Sequence, residues 1–202
     1  MQSTTKDRIL ETALNLFAHQ GYMATSMNDI AAQLGITKAA LYKHYTGKQE
    51  ILDRIVDRME QLDSDRAHAY EMPETEEDNS AKDYLNTPIE KIRTYAVAQF
   101  NHWTKEPFSS NFRKMLTLEQ YRSPRFAKLY HHYLATEPFT YMTSIFRELT
   151  PSDETAMQLA LEFYGPVYLL YSIYDGADDK DSVIPLLNAH IDQIIRKIES
   201  LR

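Results

Sequence analysis

Apolar residues recur along this chain at the spacing of an α-helix, and no stretch alternates apolar and polar residues as a strand would. A first helix is predicted over residues 5–19, ended by Gly21 in a glycine C-cap. Its apolar face consists of Leu10, Ala13, Leu14 and Phe17. Similar patterns continue to the C-terminus, so the sequence predicts an all-α fold of about nine helices.

Two short helices follow the first, with a three-residue turn between them. Ser26 is the predicted N-cap of one, which ends at Gly35. Thr37 is the predicted N-cap of the other, which should run to about Tyr45 with Leu41 and Tyr45 facing inward. Two helices joined in this way are typical of a helix-turn-helix (HTH), whose second helix enters the major groove of DNA.

A fourth helix, over about residues 46–66, should start at Thr46 with Gln49 in the capping-box position. It is expected to connect a DNA-binding domain of residues 1–48 to a helical ligand-binding and dimerisation domain of residues 49–202. Residues 71–86 are acidic and predict a solvated connector. Further helices are predicted over about 87–105, 109–121, 123–149 with a possible restart at Pro138, 150–174 and 182–201.

Charge is distributed unevenly over the 202 residues. The chain carries a net charge of −7, but its first 48 residues hold five lysines or arginines against three acids, which is +2 and leaves −9 for the remainder. A basic head on an acidic body suits a protein that presents one end to phosphates. The chain has no cysteine, no signal-peptide pattern and no apolar run that could span a membrane, so we expect a cytoplasmic protein, at the nucleoid when bound to DNA.

Polar and small side chains on the outer face of the HTH are the candidate DNA contacts. Alanines allow close approach to base edges and thymine methyl groups, while hydroxyl, ammonium and imidazole groups can donate to phosphates or bases. Thr25, Ser26 and Lys48 are expected to anchor phosphates at the starts of the second and fourth helices. The full predicted set is Thr25, Ser26, Thr37, Lys38, Ala39, Ala40, Tyr42, Lys43, His44 and Lys48.

These motifs stand in one ungapped register: Phe17-Ala18, Gly21-Tyr22, Thr25-Ser26, Ile30-Ala31, Leu34-Gly35-Ile36-Thr37-Lys38-Ala39-Ala40-Leu41-Tyr42-Lys43-His44-Tyr45, Lys48 and Ile51-Leu52. Residues 5–55 thereby resemble the DNA-binding head of the TetR family of bacterial transcriptional regulators. Ala39 stands where glycine is common in the family, and Tyr45 where phenylalanine is common. The resemblance implies a homodimer, usually a repressor, which binds a palindromic operator and releases it when the C-terminal domain binds a small molecule. It implies neither an enzyme nor a cofactor.

The C-terminal part is rich in aromatic residues and methionine, most of which we interpret as core. Clustered tyrosines nevertheless favour a pocket with polar points, because a buried hydroxyl needs a hydrogen-bond partner. The candidate lining residues for an effector are Phe100, Trp103, Phe112, Met115, Tyr141, Phe146, Tyr164 and Tyr168.

Two late helices have wide apolar faces, and the first of them contains Gly165-Pro166, where proline removes a backbone hydrogen bond. By resemblance, these two helices form the dimer interface. The residues assigned to it are Leu161, Tyr168, Leu187, Ile191, Ile194, Ile195 and Ile198.

Other functions fit the sequence less well. His131-His132 does not predict a metal site, because adjacent residues point apart on a helix. The sequence contains no recognisable nucleophile–base set or phosphate-binding loop, so it does not favour an enzyme. A helical protein-interaction module, or a small-molecule-binding protein without an operator, remains the alternative. The sequence leaves open the effector, the operator and the choice between repression and activation.

Overall fold

The structure, a computed structural model, describes residues 4–71 and 89–200, and within these ranges all regular structure is helical, as predicted. The predicted stretch 123–149 divides at Ala135 into two helices, which makes ten α-helices in the described ranges. They are α1 (Thr5–Gln20), α2 (Met27–Leu34), α3 (Lys38–Tyr42), α4 (Lys48–Ala69), α5 (Ile89–Lys105), α6 (Pro107–Glu119), α7 (Pro124–Leu134), α8 (Thr136–Arg147), α9 (Asp153–Gly176) and α10 (Val183–Glu199). None of them is both long and apolar enough to cross a membrane.

The described residues form two compact units, and the first of them is discontinuous in sequence. It combines the described residues up to Arg66 with Pro107–Tyr130, so α6 and most of α7 join the N-terminal helices. The second unit holds the described residues of Ala67–Glu106 and His131–Arg202. The first unit therefore extends well beyond the 48 residues assigned to a DNA-binding domain from sequence.

The core of the first unit lies between α1, α2, α4 and α6, where the apolar stripes of these helices meet. Its fully buried side chains include Ile9, Leu14, Phe17, Ile30, Leu41, Ile51, Ile55, Phe112 and Met115. The positions that the sequence predicted to face inward are all buried: Leu10, Ala13, Leu14, Phe17, Leu41 and Tyr45. The HTH thus packs on a scaffold that includes residues from the middle of the chain.

Within the HTH region, the observed helix ends differ from the predicted ends between α3 and α4. The helix α3 ends at Tyr42 rather than near Tyr45, and α4 begins at Lys48 rather than Thr46. Glu50, not Gln49, accepts hydrogen bonds from the backbone N–H and hydroxyl of Thr46, each at 2.7 Å. Both hydrogen bonds run from Thr46 to Glu50, and they span four residues instead of the three of a capping box.

The second unit has its own core, formed where α8, α9 and α10 meet. The buried residues of one cluster are Ile145, Phe146, Ala156, Leu159, Ala160, Ile194 and Ile198. Elsewhere in this unit, Phe100 stacks on Tyr171 and meets Tyr174 edge to face. The helix α9 continues through Pro166 without interruption. The predicted acidic connector lies outside the described residues, except for Glu71, which pairs with Lys91.

Candidate nucleic-acid interface

The short helix α3 is held by its cap and by one buried side chain. Gly35 adopts a left-handed backbone conformation, with φ of 67°, which ends α2 and lets the chain reverse. The Thr37 hydroxyl accepts the backbone N–H of Ala40 at 3.1 Å and caps α3. Leu41 is fully buried and Tyr45, just beyond the helix, is nearly so. The HTH geometry expected from the sequence is therefore present.

The opposite face of α3 points to solvent. Thr37, Lys38, Ala39, Tyr42 and Lys43 are exposed. The neighbouring Ala40 and His44 are half-buried. This face offers one hydroxyl, one phenol and two ammonium groups around small alanines, which is the chemistry that reads bases and contacts phosphates. The structure thus brings seven of the ten predicted contact residues together on one surface.

Thr25 does not have the outward role predicted for it. Its side chain is almost completely buried, and its hydroxyl donates to the carbonyl oxygen of Gly21 at 2.9 Å. The hydroxyl therefore closes the turn between α1 and α2, and it is not directed at a phosphate.

Ser26 is exposed and is the N-cap of α2, as predicted. Its hydroxyl accepts the backbone N–H of Asp29 at 3.2 Å, and Asp29 accepts both the hydroxyl and the backbone N–H of Ser26, each at 2.7 Å. These hydrogen bonds lower the pKa of the Asp29 carboxyl. The exposed start of α2 remains a candidate phosphate contact through its backbone amides.

Lys48 is directed into the protein rather than outward. Its ammonium donates to the carbonyl oxygens of Tyr22 and Thr25, at 2.6 and 2.7 Å, and lies 4.3 Å from the centre of the Tyr22 ring. Burial lowers the pKa of this ammonium, while the charges of Glu119 and Asp29 act in the opposite direction. Lys48, which was predicted to anchor a phosphate, instead stabilises the turn before α2 through hydrogen bonds inside the protein.

Glu119 is a functional candidate that sequence reasoning missed. It is the last residue of α6, it is fully buried, and its Oε1 accepts the backbone N–H of Tyr22 at 2.9 Å. A signal existed in the sequence: Phe112, Met115 and Leu116 define an apolar helix face, and Glu119 occupies its next position. An acid on a buried face needs a partner from another part of the chain.

The predicted pocket residues divide between the two units. Phe112 and Met115 belong to the core of the first unit. The other members lie in the second unit, where Phe146 is in the α8–α10 cluster and Tyr164 donates its hydroxyl to the Leu134 carbonyl oxygen at 3.0 Å. Those six residues are Phe100, Trp103, Tyr141, Phe146, Tyr164 and Tyr168.

The predicted dimer residues are of two kinds. Leu161 is exposed, as an interface residue of a free protomer should be, and Tyr168 is half-buried. The residues assigned on α10 are buried within the protomer and cannot form a surface: Leu187, Ile191, Ile194, Ile195 and Ile198. Exposed apolar side chains lie instead at Met157, Leu161, Leu169 and Ile173 of α9 and at Leu186 of α10.

The adjacent histidines of α7 make separate contacts with the start of α8. The Nδ1 atom of His131 lies 2.8 Å from the Thr136 hydroxyl, and that of His132 lies 2.5 Å from the Glu137 carboxylate. Each ring thus joins the end of α7 to a different residue of α8, in agreement with side chains that point apart.

Comparison with known proteins gives matches to the HTH region. Residues 9–55 match a family model described as bacterial regulatory proteins, tetR family. Over 52 residues, 26% of this chain, the sequence is 42% identical to the biofilm operon icaADBC HTH-type negative transcriptional regulator IcaR of Staphylococcus epidermidis. Over 47 residues, 23% of this chain, it is 43% identical to the uncharacterized HTH-type transcriptional regulator YerO of Bacillus subtilis. The chain spans 28% and 16% of the lengths of these two relatives.

Solved structures resemble the chain over nearly its whole length. A TetR-family transcriptional regulator from Marinobacter aquaeolei has a TM-score of 0.64 at 18% identity, with 98% of this chain and 99% of that chain covered. The TetR family transcriptional regulator PfmR from Thermus thermophilus has a TM-score of 0.61 at 23% identity, with 96% of each chain covered. At these identities the likeness concerns the fold.

Proposed function

Through residues 9–55 the chain belongs to the TetR family of bacterial regulatory proteins, and on this premise we propose that it is a transcriptional regulator whose α3 reads duplex DNA. The observation that carries the proposal is the exposed face of α3. Lys38, Tyr42 and Lys43 project from a helix that is capped by Thr37 and fixed by the buried Leu41. A helix with one buried anchor and a basic, aromatic outer face suits the major groove.

The contacts divide by their chemistry. Lys38 and Lys43 neutralise phosphates, so they contribute salt-dependent affinity for any duplex. Tyr42 and the small side chains of Ala39 and Ala40 lie where base edges and thymine methyl groups would be read. Ser26, at the start of α2, supports the orientation of the HTH on the backbone.

Repression is the proposed effect on transcription. The staphylococcal relatives that match the HTH region are named as negative transcriptional regulators. A protein that occupies an operator can block transcription by occupancy alone, without an activating surface.

Dimerisation is proposed to occur through α9. Leu161, Leu169 and Ile173 lie on this helix at intervals of eight and four residues and are exposed. A methyl group placed on Gly165, between Leu161 and Leu169, would meet no other atom within 4 Å. An apolar stripe with a glycine at its centre allows the same helix of a second copy to approach closely. Two copies would place two reading helices on a palindromic operator.

The second unit is proposed to bind a small-molecule effector that weakens operator binding. Its aromatic residues, with the hydroxyl groups of tyrosines such as Tyr164 and Tyr171, combine apolar area with polar points. An effector acts only if it binds one conformation of the protein better than the other.

A binding assay on selected DNA tests the main proposal. The full-length protein is used to select duplexes from a random-sequence library, and its affinity is measured against salt concentration. Lys43→Ala should reduce the salt slope by about one, and Tyr42→Ala should reduce affinity for the selected duplex by about tenfold. Lys128→Ala, an exposed lysine of α7, is the charge-matched control and should have little effect.

The same assay separates the alternative function. A protein-interaction module would select no duplex sequence above the random library, and its weak DNA binding would respond equally to Lys43→Ala and Lys128→Ala. Either result would contradict the assignment of α3 as a reading helix.

A further inference from the structure

The backbone of Tyr22 is held by two opposite charges from distant parts of the chain. Its N–H donates to Oε1 of Glu119, at the end of α6, at 2.9 Å. Its carbonyl oxygen accepts the ammonium of Lys48, in the first turn of α4, at 2.6 Å. The residue lies in the turn that leads from α1 into α2, so both charges act on the segment that sets the start of the HTH.

Surrounding contacts make this position well defined. The Tyr22 ring packs on Phe17 of α1 and on Phe126 of α7, with ring centres 5.0 and 5.1 Å apart. The Lys48 ammonium also bonds the carbonyl oxygen of Thr25 at 2.7 Å, which fixes the other end of the turn. All these groups belong to the first unit.

Gly21 allows the carboxylate to come this close. Its φ is 90°, in the region that favours glycine. A methyl group built on it would lie 2.7 Å from Oε1 of Glu119 and 3.0 Å from Nη1 of Arg122. The glycine that ends α1 thus leaves the space in which α6 contacts the turn.

Glu119 occupies a position that is costly for a carboxylate. Its side chain is fully buried, and besides the Tyr22 amide its Oε1 accepts only the guanidinium of Arg122, at 3.1 Å, among the described residues. Its Oε2 has no hydrogen-bond partner in the described part of the chain. Burial of a carboxylate with one unpaired oxygen is costly, and among the described residues the only hydrogen bonds that offset that cost come from the Tyr22 N–H and Arg122.

We propose that Glu119 is a positioning residue for DNA binding: its carboxylate holds the Tyr22 amide and thereby sets the orientation of α2 and α3 relative to α6. This inference rests on the proposed function, since it concerns the affinity of α3 for DNA. Rigid support of this kind matters because a contact surface must be held within a fraction of an ångström of its productive geometry.

The sign of the effect separates positioning from electrostatics. Glu119 carries a negative charge in the unit that would face DNA phosphates. If it acted by charge alone, its removal would raise DNA affinity. If it positions the turn, loss of the hydrogen-bond acceptor lowers affinity even when the charge is removed.

Two variants of nearly equal size test this in the full-length protein. Glu119→Gln keeps an oxygen acceptor for the Tyr22 N–H but removes the charge, and it should bind the selected duplex within about twofold of the unchanged protein. Glu119→Leu fills the same space without an acceptor, and it should bind at least about tenfold more weakly at temperatures where it is folded. Its Tm should also fall, because the Tyr22 N–H is left without a partner. Amide hydrogen exchange at Tyr22 should accelerate in Glu119→Leu and not in Glu119→Gln.

A third variant covers the case in which Glu119→Leu does not fold. Glu119→Asp retains the charge but shortens the side chain by one methylene, so the acceptor is withdrawn from the Tyr22 amide. It should lose affinity and gain exchange at Tyr22, while Glu119→Gln does neither. The reverse order, with Glu119→Asp like the unchanged protein and Glu119→Gln binding DNA more tightly, would overturn the proposal in favour of a role for charge.

Met115→Ala is the structural control, because Met115 is fully buried on the same helix. It should lower Tm, yet at temperatures where it is folded it should bind DNA normally. If the unchanged protein selects no duplex, the proposed function fails and this inference fails with it. If the unchanged protein binds and all Glu119 variants bind equally well, only this inference is overturned.

Discussion

Two lysines of the first unit differ in what their ammonium groups contact, so we expect them to have different roles. Lys38 is exposed on α3, with its ammonium 5.9 Å from the centre of the Tyr42 ring. Lys48 is half-buried and donates to backbone carbonyl oxygens of the turn before α2. Lys38 is therefore available to contact a phosphate, whereas Lys48 stabilises the turn that leads into the HTH.

Substitution of these two lysines should separate stability from DNA affinity. Lys48→Met should lower the free energy of unfolding by about 2 kcal/mol, because charged hydrogen bonds to two carbonyl oxygens are lost from a partly buried site. Lys38→Met removes the same charge from an exposed position and should leave stability unchanged while weakening DNA binding. Urea unfolding and duplex titration measure the two effects. Equal stability of the two variants would contradict the internal role of Lys48.

Sequence reasoning at this scale succeeded for side chains whose environment follows from helix periodicity. Leu41 and Tyr45 were predicted to face inward, and both are buried. It failed for Thr25 and Lys48, because their orientation depends on carbonyl oxygens of an irregular turn. Helical periodicity does not specify where those oxygens point.

Hydrogen bonds between a hydroxyl residue and a nearby acid lie at the start of several helices. Thr4 pairs with Asp7 at α1, Ser26 with Asp29 at α2, and Thr46 with Glu50 just before α4. In each case hydrogen bonds from the hydroxyl residue are the largest causes of a lowered carboxyl pKa. The N-terminal helices therefore depend on acids in their charged form.

The Asp29 cap should make stability depend on pH with a defined sign. Folding lowers the pKa of the Asp29 carboxyl from 3.8. The carboxylate therefore contributes its full stabilisation above pH 3.8 and loses it as the pH falls through the lower pKa of the folded state. Asp29→Asn should therefore lower Tm at neutral pH, and the difference from the unchanged protein should shrink as the pH falls below the lowered pKa of Asp29.

Thermal unfolding followed by circular dichroism measures this effect. Glu60→Gln is the matched control, since Glu60 is an exposed acid of α4 that caps no helix. A difference between Asp29→Asn and the unchanged protein that persists in acid would show that the cap does not depend on the carboxylate charge.

Helix starts with a standard capping box were predictable, and Ser26 was identified on that basis. The start of α4 was not, because Glu50 is one residue further from Thr46 than the box requires. The break between α7 and α8 was placed near Pro138, yet α8 already begins at Thr136 and Pro138 lies in its first turn, where proline is tolerated.

Apolar side chains on α9 are exposed to solvent in a single copy of the protein. Met157, Leu161, Leu169 and Ile173 of α9 are all exposed, whereas the apolar face of α10 is used inside the second unit. Sequence patterns identified both helices as apolar but could not tell which face the protomer itself covers. Likewise, the proposed lining residues were chosen by composition, and two of them, Phe112 and Met115, belong to the core of the other unit.

A charged residue in the α9 stripe should prevent dimerisation. Leu161→Glu is expected to give a monomer in sedimentation velocity at concentrations where the unchanged protein is a dimer, because an unpaired charge would be buried at the interface. Its affinity for a palindromic duplex should fall toward that for a half-site. Leu118→Glu, at an exposed leucine of α6, should remain dimeric. An unchanged mass for Leu161→Glu would exclude α9 as the interface.

The discontinuity of the first unit also has a consequence during protein synthesis. About forty residues separate Arg66 from Pro107, and Glu119 lies further on. At about 5–20 residues per second, a nascent chain exposes its HTH for several seconds before the residue that contacts Tyr22 has been made. In a newly made molecule, the surface proposed to bind DNA therefore completes its tertiary contacts late in translation, although its own residues are translated first.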